Sequence, residues 1–440
     1  MENNTEKITI DLAAASASPS IIKVIGVGGG GGNAVNHMYK EGIHDVNFVV
    51  CNTDMKALKD SPVPVHLQLG KEGLGAGNRP QRARIAAEES IEEIRRMLDE
   101  NTKMVFITAG MGGGTGTGAA PIIAREAKAK DILTVGIVTI PFLFEGKKKI
   151  NQALDGVDEL SKNVDALLVI SNERLREIYP DLDIESAFQK ADSILSTAAK
   201  SIAEIITMHG IINLDFQDVN TVLKNGGVAI MSTGYAEGED RVTAAIQDAL
   251  TSPLIKNTDI YHSKKILLSI AFCSEKDGET LMMEEMNEIH SFMDNFEGVE
   301  TKFGLSKDQT LGKKIKITIL ATGFGLADLP EMKGMIEERE AKNLEQEAED
   351  EQEKDDRMRR WYDSSKGKSG IARRSSKIYI FGLEDLDNEE IISLVELTPT
   401  AKRNKENYTE IKKKSEKAMA IEPQSAGLTP SGAIDFSNMK

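Results

Sequence analysis

The chain reads as an α/β protein: a doubly wound parallel sheet first, then a smaller α/β domain, then a polar tail. Short apolar runs alternate with helical stretches from Ile21 to about Ala129, and two of those runs end in glycine-rich loops that open a helix. A stripe of 3.6-residue period from Ala187 to Ile206 then separates this part from a second set of strands and helices.

Taken in order, Ile21–Val27, apolar apart from Lys23, predicts a buried strand, followed by glycines and a helix through Ala34–Tyr39. Val46–Cys51 predicts a second strand, and Ile85, Ile91, Ile94 and Leu98 form one helical stripe. Met104–Ala109 is a strand that again runs into glycines, with a helix from Ala119; Ile132–Ile140 and Val164–Ile170 are two more strands. Continuous apolar strands joined by helices mean a parallel sheet covered on both faces. Phe188, Ala191, Leu195, Ala198, Ile202, Ile205 and Ile206 hold one face of a long central helix. Later strands are expected at Val228–Thr233, Ile266–Cys273 and Ile315–Thr322, with helices at Arg241–Leu250 and Thr280–Phe296. The division that follows is an N-terminal extension over 1–20, expected to be disordered, a first α/β domain over 21–186, the central helix over 187–212 and a second α/β domain over 213–326. A charged linker over 327–377 and a tail over 378–440 complete it.

The formal net charge of −16 argues against general affinity for nucleic acid or an anionic membrane. About half of it comes from residues 337–356, which hold eleven acidic and three basic residues. Such a segment cannot bury enough apolar surface to offset its ordering entropy, so disorder is expected, with a Glu/Lys helical rod over 335–360 as the alternative. The single tryptophan, Trp361, falls in this region and is expected to be solvent-exposed. No window approaches 18 apolar residues, and Met1–Ser20 lacks the basic start and apolar stretch of a signal peptide, so a soluble, cytoplasmic chain is expected. Cys51 and Cys273 lie in apolar runs with no CxxC spacing and no metal-ligand cluster, and read as buried free thiols.

The two glycine loops carry the chemistry. Gly26-Val-Gly28-Gly29-Gly30-Gly31-Gly32-Asn33 lies between a strand and a helix, where backbone N–H groups and the helix N-terminus hold anions. Gly26, Gly28 and Gly31 also satisfy GxGxxG, and Asp54 after the next strand could hold a ribose hydroxyl, so this loop alone favours a dinucleotide oxidoreductase. Gly110-Met-Gly112-Gly113-Gly114-Thr115-Gly116-Thr117-Gly118 changes the balance, because a dinucleotide fold has no need of this second loop. Two such loops at the carboxyl edge of one sheet suit a triphosphate held by backbone amides, with threonine hydroxyls as further donors. A Walker P-loop is excluded, since neither loop contains GxxxxGK[ST]. Charge compensation must then come from backbone dipoles, Mg²⁺ and a more distant base.

With the loops that follow, the sequence resembles the tubulin/FtsZ family of GTPases. Gly110–Gly118 is similar to the tubulin signature loop and Gly28–Asn33 to the first phosphate loop. Asn52-Thr53-Asp54 and Gly73-Leu-Gly-Ala-Gly77-Asn78-Arg-Pro80 are similar to the next two nucleotide loops. Pro141-Phe-Leu-Phe-Glu145-Gly-Lys-Lys-Lys149 is similar to the ribose-side loop, and Asn213-Leu-Asp215-Phe-Gln-Asp218 to the catalytic loop. The resemblance covers about Ile21 to Gly325 and implies a tubulin-like fold that binds GTP or GDP with Mg²⁺. It implies phosphate contacts from Gly29–Asn33 and Gly114–Gly116, with Gly28, Asn52, Asp54, Gly77, Gly112, Gly113, Thr115 and Thr117 in the same site. Glu145 would hold the ribose, and Phe188 and Asp192 would stack on and hydrogen-bond the guanine, whose N1–H and amine suit a carboxylate. Lys149 stands where many members have arginine, a point charge in place of a fork.

Reach then decides the mechanism. Twenty helical residues span about 30 Å, so Asp215 and Asp218 cannot act on the nucleotide that Phe188 and Asp192 of the same chain grip. In a head-to-tail stack they would face the next subunit's nucleotide, orienting water with Asn213, and such an interface makes open filaments. The resemblance implies a cytoskeletal GTPase of the division ring, concentrated at midcell, whose tail recruits membrane tethers and regulators. The usual terminal peptide is not recognisable, and Ile378–Arg403 and Gly427–Lys440 are the two candidates for its role. An oxidoreductase and a non-catalytic filament protein are the rival readings; the first leaves Asn213–Asp218 without a role, and the intact acids argue against the second.

Overall fold

The computed structural model describes residues 20–329, apart from 44, 100, 209, 252–259, 275–279 and 297, together with 333, 392, 393, 395 and 396. The described residues from 20 to 333 belong to one compact unit. In the other unit, 346–440, the four described residues are helical. Trp361, the 335–360 segment and Gly427–Lys440 lie outside the described residues, as does nearly all of Ile378–Arg403.

The strands are β1 (Ile22–Val27), β2 (Asn47–Asn52), β3 (His66–Gln68), β4 (Met104–Gly110), β5 (Leu133–Ile140), β6 (Ala166–Ser171), β7 (Gly210–Ile212), β8 (Gly227–Ala236), β9 (Lys265–Phe272), β10 (Glu300–Lys307) and β11 (Ile315–Phe324). The helices of the first half are α1 (Gly28–Lys40), α2 (Met55–Lys59), α3 (Pro80–Glu89), α4 (Ile91–Leu98), α5 (Thr115–Ala129), α6 (Lys147–Ser161) and α7 (Asn172–Ile178). Then come the long α8 (Ile184–Thr207), α9 (Phe216–Leu223), α10 (Arg241–Thr251) and α11 (Glu285–Met293).

All strands join one sheet in the order β3-β2-β1-β4-β5-β6-β8-β11-β9-β10-β7. From β3 to β6 every pairing is parallel, as the continuous apolar runs predict. The second half is mixed, with β11 antiparallel to both β8 and β9 and β10 parallel to β9. Within the sheet the halves are joined where β6 pairs with β8, at Ala166↔Gly227 and Leu167↔Val228. Two apolar cores form: one packs Ile25, Ile107 and Val138 under α3–α6, the other packs Val24, Phe106 and Ile137 under α1 and α8.

Helix α8 begins where the Asp183 side chain accepts the Ser186 N–H at 2.9 Å. It buries Ala191, Leu195, Ala198, Ile202 and Ile205 of the predicted stripe along one face, while Phe188 is exposed and Ile206 half-buried. It ends at Thr207, so the 187–212 helix stops short, and Gly210–Ile212 pairs instead with Leu305 and Ser306 of β10. The Ile85–Leu98 stripe is really two helices broken at Ser90, and Ile85 faces solvent. The helix after the first loop starts within the glycines rather than at Ala34, and α11 is shorter than Thr280–Phe296. Both cysteines are free and buried, and burial pushes the Cys51 thiol up to about 12.

Candidate functional site: two ends of one sheet

Both glycine loops leave the carboxyl ends of neighbouring strands, β1 and β4, and both open a helix with no side-chain cap. The first N–H groups of α1 and α5 therefore remain available to an anion. The loops are packed against each other through backbone. A Cβ on Gly28, whose φ is +75°, would lie 2.8 Å from Gly116 N, and one on Gly30 would lie 3.2 Å from Gly110 Cα. Within the first loop the roles divide: Gly28, Gly31 and Gly32 are buried, whereas Gly29, Gly30 and Asn33 are exposed. In the second, Gly113 and Thr115 are half-exposed while Gly112, Gly114, Gly116 and Thr117 are buried. The Thr117 hydroxyl accepts Gly112 N–H at 2.9 Å and braces the loop from inside.

Three further segments close on this pair. The Thr53 and Thr115 hydroxyls bond at 2.7 Å, and buried Asn52 accepts Asp54 N–H at 3.2 Å. The Asp54 side chain caps α2 through Lys56 N–H at 2.9 Å. A Cβ on Gly114 would meet Ala76 Cβ at 2.8 Å and Arg79 N at 3.0 Å, which puts the Gly73–Pro80 loop, with exposed Gly77, against the signature loop. A Cβ on Gly112 would meet Lys149 O at 2.7 Å, so the Pro141–Lys149 loop abuts it too. Gln152 was not singled out by any motif, yet its amide donates to Gly112 O at 2.9 Å and Gly113 O at 3.0 Å.

In that last loop, Glu145 accepts Phe142 N–H at 2.9 Å and pairs with Lys149. Phe142 is buried and meets the half-exposed Phe188 ring edge-on, with centroids 5.2 Å apart. The start of α8 is thus joined to the glycine-loop edge of the sheet. Asp192 lies one turn further along the same face, and burial alone pushes its carboxyl up to about 7.

The acidic turn lies at the other edge. Strand β7 runs antiparallel to β10, so the chain leaves Ile212 toward the amino end of β10, where Lys302 meets Asp218 at 3.0 Å. At the end of α9, Lys224 reaches Asp131 at 2.8 Å and Asp165 at 3.9 Å, residues just ahead of β5 and β6. Because β1, β4, β5 and β6 are parallel, those residues mark the edge opposite the glycine loops. Helix α8, at 24 residues about 36 Å long, spans the distance. Asp215 caps α9: it accepts Asp218 N–H at 2.9 Å, while Asp218 accepts Asp215 N–H at 3.1 Å. The Asn213 side-chain oxygen accepts Gly210 N–H at 2.6 Å.

Two converging glycine loops, an exposed aromatic at the start of a long helix and a remote acidic capping box together define a distinctive arrangement. Residues 21–180 match the Tubulin/FtsZ family, GTPase domain, and residues 227–325 match the FtsZ family, C-terminal domain. The cell division protein FtsZ of Porphyromonas gingivalis is 50% identical over 398 residues, covering 88% of this chain and 86% of that protein. The chain belongs to the FtsZ family. Its members elsewhere include the cell division protein FtsZ of Wigglesworthia glossinidia brevipalpis, 40% identical over 74% of this chain and 85% of its own length. Among solved structures, an empty FtsZ dimer of M. jannaschii is 37% identical with a TM-score of 0.63, covering 69% of this chain and 88% of that one. Membership makes this chain a GTPase of the cell-division cytoskeleton that associates with copies of itself. Residues 373–418 also match FtsZ, C-terminal, a span that encloses Ile378–Arg403. No helix among the described residues is long and apolar enough to cross a membrane.

Proposed function

We propose that this FtsZ-family chain hydrolyses GTP only at the junction between two stacked copies, one supplying the pocket and the next the acids. The observation that carries the proposal is the placement of the glycine loops and of Asp215–Asp218 at opposite edges of one sheet. Exposed apolar side chains at both ends support it: Leu143, Phe144, Leu182 and Ile184 near the pocket, Ile211 and Ile212 beside the acidic turn. In this reading Gly29, Gly30, Asn33 and Gly113–Gly116 receive the phosphates, Glu145 and Lys149 the ribose side, and Phe188 and Asp192 the base. Asn213, Asp215 and Asp218 of the next copy orient the water that attacks the γ-phosphorus as the bond to the β-phosphate oxygen breaks. Such a reaction needs positioning and charge compensation more than covalent help. Among the described residues no group of three His, Cys, Asp or Glu is placed to hold a metal, so Mg²⁺ would arrive on the phosphates themselves. Filaments of such junctions would build the division ring at midcell, and the Ile378–Arg403 segment is the better candidate for recruiting tethers and regulators.

Phosphate release per chain is expected to be negligible below a threshold protein concentration and to rise steeply above it, together with mass sedimented in GTP but not GDP. A rate per chain that is the same at all concentrations would refute the shared site.

The Asp192 carboxyl gives the pocket a pH signature. Guanine needs the ionised form as a double acceptor, and the unliganded pKa is about 7. The ionised fraction, and with it GTP affinity, therefore falls as pH drops: about tenfold between pH 8 and 6. Fluorescent-nucleotide titrations should show this slope and Asp192→Asn should flatten it; a flat wild-type profile would take Asp192 out of the base contact.

A further inference from the structure

The acidic turn is not held by its own loop alone. Gly304 of β10 has no room for a Cβ, which would lie 2.6 Å from the Leu214 side chain. That glycine lets the Leu214 side chain, in the middle of the turn, settle directly onto β10. Side chains two apart on a strand share a face, so Lys302 points the same way as the missing Gly304 Cβ, at the turn. Its ammonium reaches Asp218 Oδ1 at 3.0 Å, while Asp218 Oδ2 is taken by Asp215 N–H. Both oxygens of Asp218 are committed, whereas Asp215 uses only Oδ1 in the bonds the structure shows. The two acids thus divide: Asp218 is the fixed member, and Asp215 keeps an oxygen to offer.

We propose that Lys302 is a positioning residue for hydrolysis, pinning Asp218 so that the capping box presents Asp215 to the neighbouring subunit's nucleotide. The inference rests on the shared-site reading above. The charged groups around Asp218 fit it. Asp215 stands across the box and Glu300 two residues before Lys302, while Lys265 of β9 is turned to Thr221 O at 2.5 Å and Lys224 to Asp131. Among the described residues Lys302 is thus the cation that faces the acidic pair, and its hydrogen bond holds the Asp218 carboxyl below the usual carboxylate range against the opposing pull of burial. A half-exposed strand lysine otherwise reads as ordinary surface charge, which accounts for its invisibility in the sequence.

The test uses the full-length chain as Lys302→Met and Lys302→Arg, with turnover at saturating GTP normalised to sedimented protein. K302M is expected to bind GTP and sediment like wild type, to lose about tenfold in kcat with little change in KM, and to lose activity at higher pH than wild type on the acid side. K302R should recover most of the rate. A K302M filament with wild-type kcat and acid limb would overturn the proposal. So would a K302M chain that binds GTP but fails to sediment, since Lys302 would then serve the interface. Asp218→Ala, measured alongside, separates the levels: if it too hydrolyses normally in filaments, the shared-site reading itself fails, whereas loss in D218A with a normal K302M removes Lys302 alone.

Discussion

Asp215→Asn should bind GTP and form filaments as wild type does, yet hydrolyse at least about 100-fold more slowly, the lower end of what a positioned acid–base group contributes. Asparagine is chosen because Asp215 has two duties. Its side chain accepts Asp218 N–H at 2.9 Å as the cap of α9, and an Asn oxygen does this equally well. What Asn removes is the charge, the feature a water-orienting base requires. Asp215→Ala removes both, and should add a stability loss of about 1 kcal/mol that Asn spares. Asp218→Ala should also stop hydrolysis, but it breaks the box and strands Lys302, so its effect mixes chemistry with local order. Phosphate release from sedimented filaments and thermal midpoints of the unassembled chain read the two effects separately. Unchanged turnover in sedimented D215N filaments would remove Asp215 from the reaction.

The strands and loops that make the pocket were legible because their sequence signals are local. Ile22–Val27 and Met104–Gly110 are apolar on both faces but for buried Lys23 and Thr108 and run straight into glycines, the pattern of a buried parallel strand feeding a glycine turn. Elements at the far edge of the sheet were not legible. Glu300–Lys307 alternates charged, polar and apolar residues because its face is half solvent, and Gly210–Ile212 is three residues long and exists only because β10 is there to pair with it. The Ile85–Leu98 stripe misled because Ile85 keeps helical spacing with Ile91 across a break that Ser90 makes, while its own side chain is in water. Within the site, what a glycine packs against could not be read from its being glycine. Nor could Gln152, a lone amide on a helix, be told from a surface residue.

That last distinction gives the sharpest pair of variants. Gly31→Ala should destabilise the unliganded chain by about 3 kcal/mol or more, whereas Gly29→Ala should leave it as stable as wild type and abolish tight GTP binding. A Cβ on Gly31 would sit 2.1 Å from Thr108 O and 3.2 Å from Ala109 Cα. Both are backbone atoms of β4, which is hydrogen-bonded on both sides to β1 and β5 and cannot yield. Helix α1 would have to lift off the sheet, uncovering Val35 and Met38, so the damage appears without nucleotide. A Cβ on Gly29 meets nothing within 4 Å, and alanine is the better helix former by about 1 kcal/mol, so the free protein loses nothing. The space that methyl enters is the space a phosphate must enter to reach the N–H groups at the start of α1. The same nucleotide titration and the same melt, run on both variants, should therefore give opposite patterns. A Gly29→Ala chain that binds GTP with wild-type affinity would mean the phosphates approach the second loop alone.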